Sequence, residues 1–377
     1  MDIPLHKSNS VFSAFKDLED PRKKRNQFYN LFDIITISIL AILCGADDWV
    51  AINLWASCNL AWLQEHGICL SGVPSHDTLG RFFRYVSPAA FEKCFVQWTQ
   101  NIAGAIKGVI AIDGKTLRGS KDTSRDGKAI HVVSAFAAEN KLILGQLAAE
   151  AKSNEITAIP LLLDMLDIQG ATITIDAAGC QKNIAQDICK KGGNYILALK
   201  GNQGNLHAEV ENFFKQAIEV MPEEATCDYY VSEEKSRDRL EKREVWSTNE
   251  IDWLPQREEW TNLNTIICIR STRKIKDNTS IELRFYIANE KASAEKFGLE
   301  IRSHWGIENK VHWQLDVSYG EDRSKVRKDN GPENLTVLKR CTMNLLKADT
   351  KTKAGIKNKR AKAGWSKEYM MELLNGK

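Results

Sequence analysis

Gly108–Lys115 reads GVIAIDGK: four consecutive apolar residues, three of them β-branched, run into Asp113 and are closed by Gly114. A half-exposed strand would alternate apolar and polar residues; an unbroken run of this length predicts a strand buried on both faces. Its last position carries a carboxylate, which is costly to bury unless something binds it. The chain downstream supplies partners for such a strand. AIHVVSAFAA (129–138) and KLILGQLAA (141–149) flank Glu139-Asn140 as a hairpin. A helix (154–167), a strand (ATITID, 171–176), a helix (181–191), a strand (NYILALK, 194–200) and a helix (205–218) follow. Three strands on tight turns, then strands alternating with helices, predict a mixed α/β sheet covered on both faces, the ribonuclease-H-like arrangement.

Upstream, residues 1–105 carry helical signals only. LFDIITISILAILC (31–44) is apolar but too short, at about 14 residues against the roughly 20 a bilayer needs, to span a membrane. Ser75 is placed to cap a helix over SHDTLGRFFRYV, and Pro74 and Pro88 punctuate that segment. Downstream, residues 226–290 return to strand-like runs and form a β-rich insertion. Helical patterning resumes from 291. The predicted organisation is a helical N-terminal domain (1–105, possibly a DNA binder), the first part of a ribonuclease-H-like catalytic domain (106–225), the insertion (226–290), a helical completion (291–350) and a basic tail (351–377).

The 377 residues hold 52 Lys+Arg against 49 Asp+Glu, with 43% hydrophobic residues, which excludes a disordered or collagen-like chain. The near-neutral total hides an asymmetry: Arg323–Lys377 holds 15 Lys and Arg but 5 Asp and Glu. Such a tail can follow phosphates or can be a solvated terminal helix. Nine cysteines with no CxxC pair favour neither a disulfide framework nor a zinc ribbon and suit a reducing cytoplasm. The N-terminus does not read as a secretory signal, and no membrane association is expected.

Three acids stand out by position: Asp113 closing the first strand, Asp176 closing ATITID, and Glu308 on the helix after the insertion, in SHWGIENKVHW. Two carboxylates about 4 Å apart repel by roughly 4 kcal/mol at an effective dielectric near 20. Two Mg²⁺ ions remove that conflict, because magnesium takes hard oxygen ligands from a few carboxylates and completes its shell with water and phosphate oxygens. Such a pair serves in-line displacement at phosphorus. Position alone does not separate this reading from three acids that happen to end secondary-structure elements.

The segments around these acids resemble the H-repeat-associated DDE transposases of bacterial insertion sequences. The resemblance is carried by FKDLEDPRKKRNQFYNLFDIITISILAILCGADDWVAI (15–52), PSHDTLGRFFRYV (74–86), IAIDGKTLRGS (110–120), KSNEITAIPLLLDML (152–166), TIDAAGCQKNIA (174–185), YILALKGNQ (195–203) and RSHWGIENKVHWQLDVSYGED (302–322). It implies Mg²⁺-dependent cleavage at element ends and strand transfer into target DNA, with Asp113, Asp176 and Glu308 as catalytic metal ligands and Mn²⁺ able to substitute. Implied partners are double-stranded DNA, as inverted terminal repeats and target, and a second copy in a synaptic homodimer. The implied location is the bacterial cytoplasm, on the nucleoid when DNA is bound. In one respect the chain departs: where related enzymes carry Y-x2-R-x3-E-x6-K, it has Ile301, His304 and Leu315. The cationic roles then fall to Arg302 and Lys310, or to His304 and His312.

His304, Glu308 and His312, spaced by four, would share one helical face. Zinc, a hydrogen bond to DNA phosphate or to Glu308, and plain packing are the alternatives there; Trp305 and Trp313 are expected to pack that helix on the sheet. Lys115, Arg118, Lys200, Asn202 and Gln203 follow strands at the carboxyl edge of the sheet, where ligands of α/β proteins bind, and are candidate phosphate contacts. Asp316, Glu321 and Asp322 are either a polar turn or a cluster steadying nearby cations. Trp246, Trp253 and Trp260 either pack inside the insertion as a sandwich core or offer stacking to an unpaired base. The leading function is a transposase. The alternatives are a nuclease of the same fold that only hydrolyses, and a catalytically silent DNA-binding relative.

Overall fold

The computed structural model describes residues 3, 9–104, 106, 108–123, 126–149, 155–220, 226–236 and 238–376. Five helices come first: α1 (Leu31–Leu43), α2 (Trp49–Cys58), α3 (Leu60–Glu65), α4 (His76–Tyr85) and α5 (Pro88–Ala103). Their starts follow capping rules. Asn30, Asp48, Ser75 and Ser87 each accept a backbone N–H of the first turn, and Pro88 occupies the position where a missing N–H is harmless.

The strands are β1 (Val109–Thr116), β2 (His131–Ala137), β3 (Leu142–Ala149), β4 (Thr172–Ile175), β5 (Asn194–Leu199), β6 (Asp228–Ser236), β7 (Arg239–Thr248), β8 (Thr265–Ile275) and β9 (Asn278–Ala288). They form one sheet in the order β3-β2-β1-β4-β5-β9-β8-β7-β6. β1, β4 and β5 run parallel, and every other pairing is antiparallel. The insertion strands thus extend the central sheet, through β9 on β5, rather than packing into a separate sandwich. Trp246, Trp253 and Trp260 share no stacking face: Trp246 lies under Arg270, Trp253 stacks on Phe213, and Trp260 is buried.

Alternation along β1 sorts its residues between two cores. Ile110 and Ile112 face a cluster built with α6 (Glu155–Met165), α7 (Lys182–Lys190) and α8 (Gly204–Lys215); the predicted start of α6 at Asn154 lies outside the described residues. Ala111 faces a second cluster that holds α1–α5 together with α11 (Gly331–Ala348), α12 (Ile356–Trp365) and α13 (Lys367–Asn375). α9 (Ala294–His304) covers a third group against β5, β8 and β9. The first and last helices of the chain therefore share a core. Cations of the basic tail take part in it: the Arg360 guanidinium donates to Ile42 O and Asp47 and lies 4.0 Å over the Tyr319 ring, Lys359 donates to the Leu346 and Asp349 carbonyls, and Lys367 sits 4.2 Å over Trp62. Those three are held by the fold and are not displayed to phosphates. Among the described residues, no helix is long and apolar enough to cross a membrane.

Candidate active site

The register of two parallel strands brings Asp113 and Asp176 together. Ile112 is the last β1 residue paired with β4, through Ile175, so the residues that follow lie side by side where that ladder ends, about 4.8 Å apart in backbone. Asp176 ends its strand as expected, but Asp113 does not, since β1 runs on to Thr116 along β2. Alternation puts both on the face covered by α9, since Thr174 on β4 contacts His304 through its hydroxyl, 3.0 Å from Nδ1. Beyond Asp176 the chain turns sharply. Its Oδ1 accepts the N–H of Ala178 at 3.0 Å and of Gly179 at 3.4 Å, and a Cβ on Gly179 would stand 2.3 Å from Ile175.

Glu308 opens a π-turn, Glu308–His312, between α9 and α10 (Trp313–Tyr319). The wider turn, closed by Trp313 N donating to Glu308 O, breaks the single helical face expected for His304, Glu308 and His312. Glu308 is exposed, His304 half-buried and His312 buried. Trp305 carries Arg284 4.5 Å over its ring, while Trp313 is 56% exposed and does not pack on the sheet.

Asp113, Asp176, Glu308 and His304 line one cavity of about 400 Å³ together with Lys200, Arg284 and Tyr286. Burial first, then the charges of Glu155 and Asp113, pushes the Asp176 carboxyl above its ordinary value, against the two N–H donors. Burial likewise lowers His304, opposed by Asp113, Asp176 and Glu308, so the three acids act on one imidazole. The donor set suits a hard divalent cation: carboxylate oxygens from three elements, and an aspartate whose ionised form is disfavoured by like charge. The fit lies in the chemistry of the donors. Among the described residues, no three His, Cys, Asp or Glu side chains are gathered in ligating positions.

The remaining predicted residues divide by role. Lys115 is corrected: it is 8% exposed, its Nζ lies 2.8 Å from Asp316 and 2.9 Å from Asp322, and Glu321 is 3.7 Å away. Three carboxylates more than 200 positions downstream engage it, so it braces the acidic turn and cannot reach a phosphate. Arg118 stays largely free, its side chain 82% exposed with only a loose approach to Asp322. Asn202 and Gln203 donate to Ala177 O and Cys180 O at 2.7 Å and so hold the loop behind Asp176. Arg302 donates to Glu234 of β6 at 2.8 Å, and Lys310 is exposed. His312 Nδ1 lies 3.3 Å from Asp113.

Two residues went unnoticed in the sequence. Glu155, at the start of α6, accepts from or donates to His131 Nε2 across 2.7 Å. This pair flanks Gly114, where a Cβ would come within 2.2 Å of both. An acid in the first turn of a predicted helix, within a segment already notable for its likeness to relatives, was the available signal.

Comparison with known proteins closes the question of kinship. The Transposase DDE domain family matches residues 104–345, and the DDE_Tnp_1-associated family matches residues 12–99. The chain belongs to the DDE transposase family. Within that family it is 40% identical to the H repeat-associated putative transposase YhhI of Escherichia coli K12 over 95% of this chain and 96% of that one. It is 39% identical to the putative transposase YncI of Escherichia coli O157:H7, over 97% and 94% respectively. Among solved structures, a piggyBac transposase synaptic complex with hairpin DNA aligns with 95% of this transposase and 76% of that chain at 11% identity and a TM-score of 0.42.

Proposed function

We propose that this DDE transposase cuts DNA at the ends of an insertion element and joins the freed 3′-hydroxyls to target DNA, acting as a dimer on two inverted repeats. The observation that carries the reading is the convergence of Asp113, Asp176 and Glu308 on one cavity from β1, the end of β4 and the π-turn. The strand order β3-β2-β1-β4-β5, with β1, β4 and β5 parallel, supports a ribonuclease-H-like core behind it.

In this reading the three carboxylates hold divalent magnesium. Bound there, the metal supplies neutralisation of phosphoryl charge and acidification of the attacking hydroxyl. The chain's own residues do the positioning. Asp176 is fixed by the Ala178 and Gly179 amides, and Asn202 and Gln203 anchor the loop that carries those amides. His312 abuts Asp113, and Thr174 orients His304. Lys200 and Arg284, on the same cavity wall, are the cations available to a phosphate entering it. The helical N-terminal region is assigned to duplex binding and the bacterial nucleoid to the place of action.

A labelled duplex carrying the element's end, incubated with Mg²⁺, tests the proposal. The wild type should nick the end and yield strand-transfer product with a second duplex. Asp113→Asn, Asp176→Asn and Glu308→Gln should each lose both reactions while still binding the duplex. Cleavage surviving in any of the three would remove that residue from the metal site, and hydrolysis without joined product would defeat the transfer step.

A further inference from the structure

A second cleft, about 500 Å³, opens between α2, α4 and the segment joining α10 to α11. Arg81 and Arg84 of α4 stand on one wall, and Lys325, Arg327 and Lys328 on the other. The second wall comes from Arg323–Lys328, RSKVRK, a stretch with four cations and no acid. Opposing charge is sparse. Asp77 lies on the rim, and Asp329 accepts from Arg84 Nε at 2.6 Å.

The wall is held rigidly. Asn334 Nδ2 donates to Phe83 O at 2.7 Å and Val86 O at 3.0 Å, and Asn330 Nδ2 donates to Val86 O at 3.1 Å, so the segment is tied to the end of α4. Val326 turns inward against the helical core, leaving Lys325 exposed. On the floor, Trp49 stacks on Phe83 with ring centroids 4.7 Å apart and lies against Gly80, where a Cβ would meet it at 3.3 Å. These anchors fix the backbone that carries the cations, so binding orders their side chains but not the segment itself.

The basic wall is also continuous with the catalytic edge. Arg327 Nε donates to Gly119 O at 3.1 Å, and Gly119 lies so close to the segment that a Cβ there would stand 2.3 Å from Ser324 O. Gly119 follows Arg118, six positions beyond Asp113 along the chain. Arg323, Lys325, Arg327 and Lys328 follow one another from this contact toward α4, so a polyanion leaving the carboxylate cavity past Arg118 would meet them in turn. Six residues span at most about 20 Å, and one strand of a duplex advances about 3.4 Å per phosphate, so the wall can face several phosphates in a row.

We propose that this cleft binds the sugar-phosphate backbone of duplex DNA flanking the cleavage position, as a contact that sets register and carries no sequence information. The proposal rests on the transposase reading of the carboxylate cavity. The cations Arg81, Lys325 and Lys328 are exposed, so changing them leaves the core intact.

The test uses the full chain, a fluorescein-labelled 30-base-pair duplex of mixed sequence, and anisotropy in EDTA at several KCl concentrations. The triple variant Arg81→Gln/Lys325→Gln/Lys328→Gln should bind more weakly at every salt, with the slope of log affinity against log salt reduced by roughly 2 to 3. Lys141→Gln, at the tip of the β2–β3 hairpin, should keep the wild-type slope. Thermal melting should match the wild type in both. A wild-type slope in the triple variant overturns the cleft as a DNA site, even if Asp113→Asn abolishes cleavage as the transposase reading requires. Failure of the wild type to bind any duplex overturns that reading, and the cleft with it.

Discussion

His312 Nδ1 stands 3.3 Å from Oδ2 of Asp113, and its Nε2 is buried without a hydrogen-bond partner among the described residues. The ring therefore packs against the carboxylate with its far nitrogen enclosed. A neighbour of this kind fixes the orientation of a metal-ligating group, and its loss typically lowers activity or metal affinity 10- to 100-fold. His312→Ala should slow single-turnover cleavage by about that factor with duplex affinity unchanged, while His312→Gln, which retains a donor, recovers most of the rate. Equal rates for His312→Ala and wild type would show that the contact is mere packing.

Behind that site, Arg340 and Glu321 form a buried pair, 3.2 Å apart, with their side chains 0% and 2% exposed. Burial works to raise the Glu321 carboxyl, but Arg340, Lys339 and Lys115 outweigh it and hold it below its ordinary value. Removing one partner strands the other charge, at about 3–5 kcal/mol. Urea unfolding of Arg340→Met should show a loss of that order, and Arg340→Met/Glu321→Leu a smaller one. A single-variant loss under about 1 kcal/mol would mean that Lys115 and Lys339 suffice.

Glu92 on α5 is fully buried. Burial pushes its carboxyl up to about 8, against the Gln146 N–H that donates to it at 2.7 Å and the charge of Arg340. The native state then retains a proton that the unfolded chain releases from about 4.5 upward, so this group lowers stability progressively from pH 4.5 to 8 and fully above. Glu92→Gln should be more stable than wild type at pH 9 and nearly equal to it at pH 4, by chemical denaturation at both. The same gain at both pH values would contradict a proton-linked origin.

Lys347 on α11 tilts stability the other way. Burial, aided by the charge of Lys310, brings its ammonium down to about 7, and its Nζ lies 4.5 Å over the Phe136 ring with no hydrogen-bond partner among the described residues. The unfolded chain binds this proton up to about 10.5, so the contribution rises with pH between 7 and 10.5. Lys347→Met should stabilise the protein at pH 6, with the advantage shrinking through pH 9. Denaturant midpoints at the two pH values decide it.

Much of this architecture was legible from local pattern, and the failures have a common cause. GVIAID announced a buried strand because four apolar residues in succession suit no half-exposed one. The Ser75 cap acts within three residues of itself and was readable for that reason. What sequence could not disclose was long-range pairing. Nothing in IELRFYIAN says that β9 will seat on β5, and nothing near Lys115 reveals that Asp316 and Asp322 will claim it. The helical spacing of His304, Glu308 and His312 misled because a π-turn adds a residue to the repeat, and no local signal marks it. In sequence the tail cations Lys359 and Arg360 suit a phosphate track and a solvated helix equally; in the fold they are neither, because carbonyls of α1 and α11 accept their hydrogen bonds.

Because β9 lies hydrogen-bonded along β5, the outer four strands are not a detachable appendage. Excising residues 226–290 would strip β5 of a neighbour and leave a row of bare amides and carbonyls one strand away from Asp176. Such a rim invites other chains to add on, so the shortened protein would gather into aggregates instead of working as a trimmed nuclease. The same continuity links the β6 margin to the strands that carry the acids through an unbroken succession of backbone ladders.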